Sequence, residues 1–213
     1  TLLCSIEAVI REGCTFVGWS ETKYDPFTNE AEAQAACEDT FTGSLQNNGN
    51  GIMASGVDTQ KNKVYAVWVK KPGVLTVTKQ TAGDGIPTDA TYEYILNKVN
   101  TTTNDDGTTT TTYTPVSGAS YTIGSGAAQT TDTDGKFSLK AGETATFSSL
   151  DPVSYQVVEA KNIGDTYSTT WSANSAGTDT TGSGVEAVVS VETGLTSTLK
   201  FTNTYGASLE MAI

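Results

Sequence analysis

The segment Leu199-Lys200-Phe201-Thr202-Asn203-Thr204-Tyr205 alternates strictly, and a period of two specifies a β-strand that turns one face to a core. Leu199, Phe201, Asn203 and Tyr205 share that face. Three of them suit an apolar interior. Asn203 is a neutral amide that must find partners there or react there. Short alternating or β-branched runs recur along the chain, separated by Gly, Asp and Asn. Thr, Ser and Gly are abundant and Leu is sparse, which favours strands and turns over helices. These features predict a mainly β chain.

Two units are expected. In the first, residues 1–70, the runs 14–19 and 63–68 read as strands, and residues 5–10 supply a further one. Residues 31–37 form the only good helical run, with Asn29 as its cap and Glu30 and Glu32 in its first turn. The Asn/Gly-rich residues 46–51 read as a loop. Val69-Lys70-Lys71-Pro72-Gly73 interrupts the pattern and marks a boundary. In the second unit, residues 74–206, strands are expected over 74–80, 90–97, 121–123, 136–139, 144–147, 154–160, 167–171, 185–191 and 198–205. Asp106-Gly107, between Thr-rich runs in residues 101–112, signals a hairpin. Many short strands at regular spacing imply a β-sandwich.

Charge and residue usage narrow the function. The net charge of -12 repels nucleic acid and anionic lipid, so neither is an expected partner. The chain has no His, which excludes Ser-His-Asp and Cys-His catalysis and every His-containing zinc site. Its three cysteines, Cys4, Cys14 and Cys37, allow at most one internal disulfide, Cys14 with Cys37, or none. No run approaches the roughly 20 apolar residues of a membrane-spanning helix, and no signal peptide is visible. Both ends look like cuts in a longer protein. Asp132-Thr133-Asp134-Gly135 opens like a calcium loop but lacks the later ligands, so a solvated turn is expected. No phosphate loop, GxSxG motif or acidic pair suggests a cofactor, a metal or a hydrolase.

Strand parity brings out one chemical constellation. Leu75, Val77 and Lys79 share a face of the strand over 74–80, as Leu199, Phe201 and Asn203 do on the last one. On the strand over 154–160, Tyr155, Val157 and Glu159 share a face, although Val158 and Ala160 make the opposite face apolar too. A Lys, a Glu and an Asn thus point into one core. A buried ammonium or carboxylate costs several kcal/mol unless paired. Burial favours the uncharged form of each, and a neutral Lys amine is a nucleophile. A neutral carboxylic acid can bond to the Asn carbonyl, polarise it and move a proton to departing ammonia. Lys79 and Asn203 would then react once to form an amide, with proximity supplying roughly 7–11 kcal/mol of the barrier. The plainer alternative is that Lys79 snorkels its amine out at the strand end and Asn203 bonds to backbone.

Leu75-Thr76-Val77-Thr78-Lys79, Tyr155-Gln156-Val157-Val158-Glu159 and Phe201-Thr202-Asn203-Thr204-Tyr205 resemble the three motifs of the Gram-positive pilin isopeptide-linkage domains, the FctA-type and CnaB-type Ig-like modules. Residues 134–143 resemble that family's central hairpin. The resemblance implies an Ig-like β-sandwich in which Lys79 is joined to Asn203 with Glu159 as catalyst. It also implies no cofactor and no enzymatic turnover. Gly13-Cys14-Thr15-Phe16-Val17-Gly18-Trp19 and Val64-Tyr65-Ala66-Val67-Trp68 resemble the Listeria–Bacteroides repeat, or internalin B-repeat, a small β-grasp-like extracellular module. Together these imply a stalk, pilin or adhesin fragment from the cell wall of a Gram-positive bacterium. Its partners would be other surface-protein domains or pilus subunits. The alternative is an adhesin module that binds host glycan or matrix protein through loops at residues 46–51 or 101–112.

Overall fold

The computed structural model describes residues 10–38, 45–48, 51–54, 64–160 and 166–206. The chain divides into two compact units, Thr1–Lys71 and Pro72–Ile213. The strand expected over residues 5–10 lies outside the described residues except for Ile10, which is exposed and not in a strand. Cys4 also lies outside them.

In the first unit, β1 (Cys14–Ser20) precedes α1 (Glu30–Ala35), β2 (Leu45–Asn48), β3 (Gly51–Ala54) and β4 (Tyr65–Lys70). β1 and β4 pair antiparallel, with a register shift between Phe16 and Gly18. Their aromatic residues pack edge to face, Phe16 lying 5.2 Å from Trp19 and 5.7 Å from Trp68. Both indoles therefore serve the packing of this unit. The Asn29 side chain accepts the Glu32 amide and caps α1. A side chain at Gly18 would lie 2.6 Å from Cys37 Sγ, so the strand approaches the end of the helix only because this residue is glycine. No disulfide joins Cys14 to Cys37, and the Cys37 thiol instead donates to the Ala33 carbonyl. Of the loop expected over 46–51, residues 46–48 and 51 instead pair in β2 and β3, and residues 49 and 50 lie outside the described residues.

The second unit is an Ig-like β-sandwich. It comprises β5 (Gly73–Gly83), β6 (Thr91–Thr103), β7 (Thr109–Pro115), β8 (Ser120–Ile123), β9 (Gln129–Thr130), β10 (Lys136–Lys140), β11 (Thr144–Leu150), β12 (Ser154–Glu159), β13 (Tyr167–Ser175), β14 (Thr178–Ser183), β15 (Glu186–Ser190) and β16 (Thr196–Tyr205). One sheet runs β14-β13-β16-β5-β11-β8-β9, and the other β10-β6-β12-β15 with β7 added on β6. Their inner faces meet through aromatic contacts. Tyr94 packs 5.4 Å from Phe201, and Phe137 packs 5.2 Å from Phe147. β5 and β16 run parallel, in register from Thr196 opposite Val74 to Tyr205 opposite Gly83.

β6 and β14 are among the strands that depart from the sequence expectation. β6 extends to Thr103 because β7 pairs with it as far as Thr109, closing the hairpin around Asp106-Gly107. Gly107 adopts φ 80°, and the Asp106 carboxylate accepts both the amide and the hydroxyl of Thr108. Residues 101–112 are thus mostly ladder rather than free loop. β14 has a Thr/Asp/Gly sequence that carries no strand signal, and it forms by pairing along β13. Asp132 accepts the amides of Asp134 and Lys136, making a self-capped turn. Gly135 adopts φ 75° there, and a Cβ at this position would lie 2.6 Å from the Leu96 carbonyl.

Phe147 is fully buried between Tyr121 and Phe137. Phe147→Ala is expected to destabilise the second unit by about 3–5 kcal/mol through lost burial and a residual cavity. Thr110→Ala on the exposed hairpin face is expected to stay within about 0.5 kcal/mol. Denaturant midpoints of the two variants test this. Equal midpoints would contradict the packing assigned to Phe147.

Candidate functional site

Three strands carry the side chains that parity singled out. On β5, Leu75, Val77 and Lys79 are buried while Thr76 and Thr78 are only partly so. On β16, Leu199, Phe201 and Asn203 are buried and Lys200 is exposed. On β12 the ambiguity resolves in favour of Glu159, which is buried, with Val158 only partly buried. Lys79, Glu159 and Asn203 each have 0% exposure. The parallel register sets Lys79 opposite Phe201 and Asn203 opposite Thr81, so Lys79 and Asn203 are diagonal neighbours in one sheet. Glu159 arrives from the other sheet, where it pairs with Tyr94 of β6.

The three side chains converge on one carboxyl. Lys79 Nζ donates to Glu159 Oε2 at 2.9 Å, and the Tyr94 hydroxyl donates to the same oxygen at 3.0 Å. Asn203 Nδ2 donates to the other oxygen, Glu159 Oε1, in a short hydrogen bond. The Asn203 carbonyl does not face the acid, contrary to the sequence expectation. Asn203 Oδ1 accepts from Thr169 Oγ1 at 2.9 Å. Lys79 and Tyr94 share Oε2, which leaves Oε1 to accept from the NH2 end of the amide.

The surroundings set the charge balance. Burial pushes the Lys79 amine below its usual range, and the hydrogen bond and the charge of Glu159 pull in the opposite direction. The ammonium also lies 4.2 Å from the Tyr92 ring centre and 5.9 Å from that of Tyr167. Burial, followed by the charge of Glu159, pushes the Tyr94 hydroxyl strongly up, so it stays a donor. The Tyr92 and Tyr205 hydroxyls are 2.7 Å apart. Those two residues and Tyr167 also line a cavity of about 260 Å³ with Pro87, Ala90 and Ala160.

Sequence reasoning missed Thr169 and the roles of Tyr92 and Tyr94. The signal for the tyrosines was present, since Tyr92, Tyr94 and Leu96 alternate on one face. Thr169 carries no such signal. It reaches the amide because β13 lies beside β16 with Thr169 directly opposite Asn203.

Lys79 gives the site a testable pH dependence. In an Asn203→Ala chain the ion pair stays and the amide is gone. The unfolded chain holds Lys79 at its ordinary 10.5, and the folded chain holds it lower. Between those values the unfolded state binds more protons, so the contribution of this group to stability rises with pH and falls away as pH drops through the folded value. The slope is at most about 1.4 kcal/mol per pH unit. Denaturation of Asn203→Ala, compared with the Lys79→Met/Asn203→Ala double variant across this window, isolates the effect. A constant difference would contradict a desolvated amine.

The sequence matches the model of a family described as a domain of unknown function (DUF7601) over residues 73–205. No curated protein matches it. Among solved structures, the chain is similar to the major pilin from Streptococcus pyogenes, at 17% identity over 74% of this chain and 58% of that one, with a TM-score of 0.44. It is similar to the major pilin protein (T3.2) from Streptococcus pyogenes serotype GAS13637, at 18% identity over 93% and 64% of the chains, with a TM-score of 0.48. A pilus-presented adhesin, Spy0125 (Cpa), is 14% identical over 74% and 34%, with a TM-score of 0.42. The chain thus spans less than two thirds of the length of each of these structures. The family model covers more than half of the present sequence, and the chain belongs to the DUF7601 domain family.

Proposed function

We propose that the second unit, residues 74–206, is a mechanical module closed by an isopeptide bond between Lys79 and Asn203, formed once with Glu159 as its proton carrier. One observation carries this reading. The two oxygens of a single buried carboxyl contact the amine and the amide nitrogen separately. An amine and an amide that only needed solvation would not require a shared acid in a dry core.

The steps balance. Lys79 passes one proton to Glu159 Oε2 and becomes a neutral amine, a change that its depressed basicity favours. Its Nζ attacks the Asn203 carbonyl carbon, and the π electrons move to Oδ1. Glu159 turns its protonated oxygen toward Nδ2 and delivers the proton as the C–N bond breaks. The freed carboxylate then takes the second proton from the Lys79 nitrogen. Ammonia leaves, an amide joins the two strands, and Glu159 ends as a neutral acid. The reaction therefore exchanges two buried charges for none, which is favourable where water is excluded.

The topology suits a load-bearing role. Force applied before Gly73 and after Tyr205 would shear the parallel β5–β16 ladder along its length. A bond from Lys79 to Asn203 would divert that load into covalent structure near the end of the ladder, leaving the chain between them outside the force path. We accordingly propose a stalk, pilin or adhesin segment of a bacterial surface protein. Residues 1–70 would form a Listeria–Bacteroides-type module in series with it.

Intact mass tests the bond directly. The wild-type chain is expected to lack the mass of one ammonia, and Lys79→Ala, Asn203→Ala and Glu159→Ala to show their full mass. By analogy with disulfides, loss of the bond is expected to destabilise by on the order of 4–5 kcal/mol. Full mass in the wild type would sink the proposal.

A further inference from the structure

We infer that Thr169 is a catalytic residue of this site. Its hydroxyl holds the oxygen of the Asn203 amide and stabilises the negative charge that develops there when Lys79 attacks. The inference rests on the cross-linking reaction proposed above and assigns it a residue outside the lysine, acid and amide.

Three observations support it. First, Thr169 Oγ1 lies 2.9 Å from Asn203 Oδ1 and is itself buried, with Thr169 at 6% exposure. Second, the direction of the bond is forced. Oδ1 has no proton, so the hydroxyl donates. Third, Thr169 sits opposite Asn203 on the adjacent antiparallel strand, a position set by backbone register rather than by a mobile loop. The donor is therefore aimed before the reaction begins, as electrostatic stabilisation requires.

The same bond orients the leaving group. An Asn amide can rotate by half a turn and exchange its oxygen and nitrogen. With Thr169 holding the oxygen, the nitrogen faces Glu159, the group that must protonate it. Without this donor, a flipped amide could offer its carbonyl to Glu159 once that acid has taken the Lys79 proton, and the nitrogen would then face away from its proton source. Thr169 thus favours both the reactive orientation and the charge shift from the carbonyl carbon to Oδ1. No extra reactant enters, because the hydroxyl donates a hydrogen bond throughout and keeps its proton.

The test is a time course of ammonia loss by intact mass during cell-free synthesis of the full chain, with samples quenched in acid. Thr169→Val keeps the shape and removes the donor. It is expected to slow cross-linking by on the order of 10²–10³-fold, while Thr169→Ser stays within a few-fold of wild type. Circular dichroism and a melting curve, compared with Asn203→Ala as a folded uncross-linked reference, separate slow chemistry from failure to fold. Should the valine chain not fold, Thr169→Cys, whose thiol is a weak donor, is read in its place and is also expected to react more slowly than Thr169→Ser. Wild-type kinetics in a folded Thr169→Val or Thr169→Cys chain would overturn the role of Thr169 and leave the cross-link intact. A wild type that never loses ammonia would overturn the cross-link itself, and with it this inference.

Discussion

A carboxyl group sealed from water must be satisfied by its protein neighbours, and Glu159 is where the interior of the second unit answers that demand. It accepts from Lys79 and Tyr94 on one oxygen and from Asn203 on the other. Those donors come from β5, β6 and β16, so both sheets meet at one polar centre inside an aromatic core. Removing any donor leaves part of a charge unsolvated in a place water does not reach. The position of Lys79 is equally demanding. Its stem is enclosed with the core, and its amine has the faces of Tyr92 and Tyr167 nearby.

The arrangement depends on a backbone feature as much as on side chains. The parallel pairing of β5 with β16 makes the first and last strands of the unit neighbours, separated in sequence by nearly all of the domain. Antiparallel β13 then flanks β16 and brings Thr169 to Asn203. A slip of one residue in either ladder would turn Lys79 or Asn203 to solvent, because side-chain direction alternates along a strand. The apolar residues preceding them, Leu75 and Val77 on β5 and Leu199 and Phe201 on β16, oppose such a slip. The packing that stabilises the sandwich therefore also aims the reactive groups.

Much of this was legible in the residues. The alternation of β5 and β16 identified the inward faces, and the Asp-Gly pairs marked turns. Asn29 announced the start of α1. Legibility failed where the local signal was weak or shared by two structures. The pairing of β2 with β3 was read as a loop because Asn and Gly are poor strand formers. β14 gave no signal because an edge strand with exposed Thr and Asp residues is formed by its neighbour. Glu159 could not be assigned a face by alternation because Val158 and Ala160 were equally plausible inward residues. Thr169 was invisible for a different reason, since a Thr on a strand looks the same whether it meets solvent, backbone or an amide oxygen.

By itself the sequence determined that this chain is built of strands and that a lysine and an asparagine stand at inward positions of two of them. Period-two patterning is a local property, and local properties are written in consecutive residues. Only the tertiary structure decided which strands adjoin, that Glu159 faces the same core, and that its two oxygens are divided between amine and amide. It also decided that the amide nitrogen, rather than its carbonyl, faces the acid. These outcomes depend on register between strands distant in the chain and on the competition of several donors for one carboxyl, and neither is encoded within any single segment.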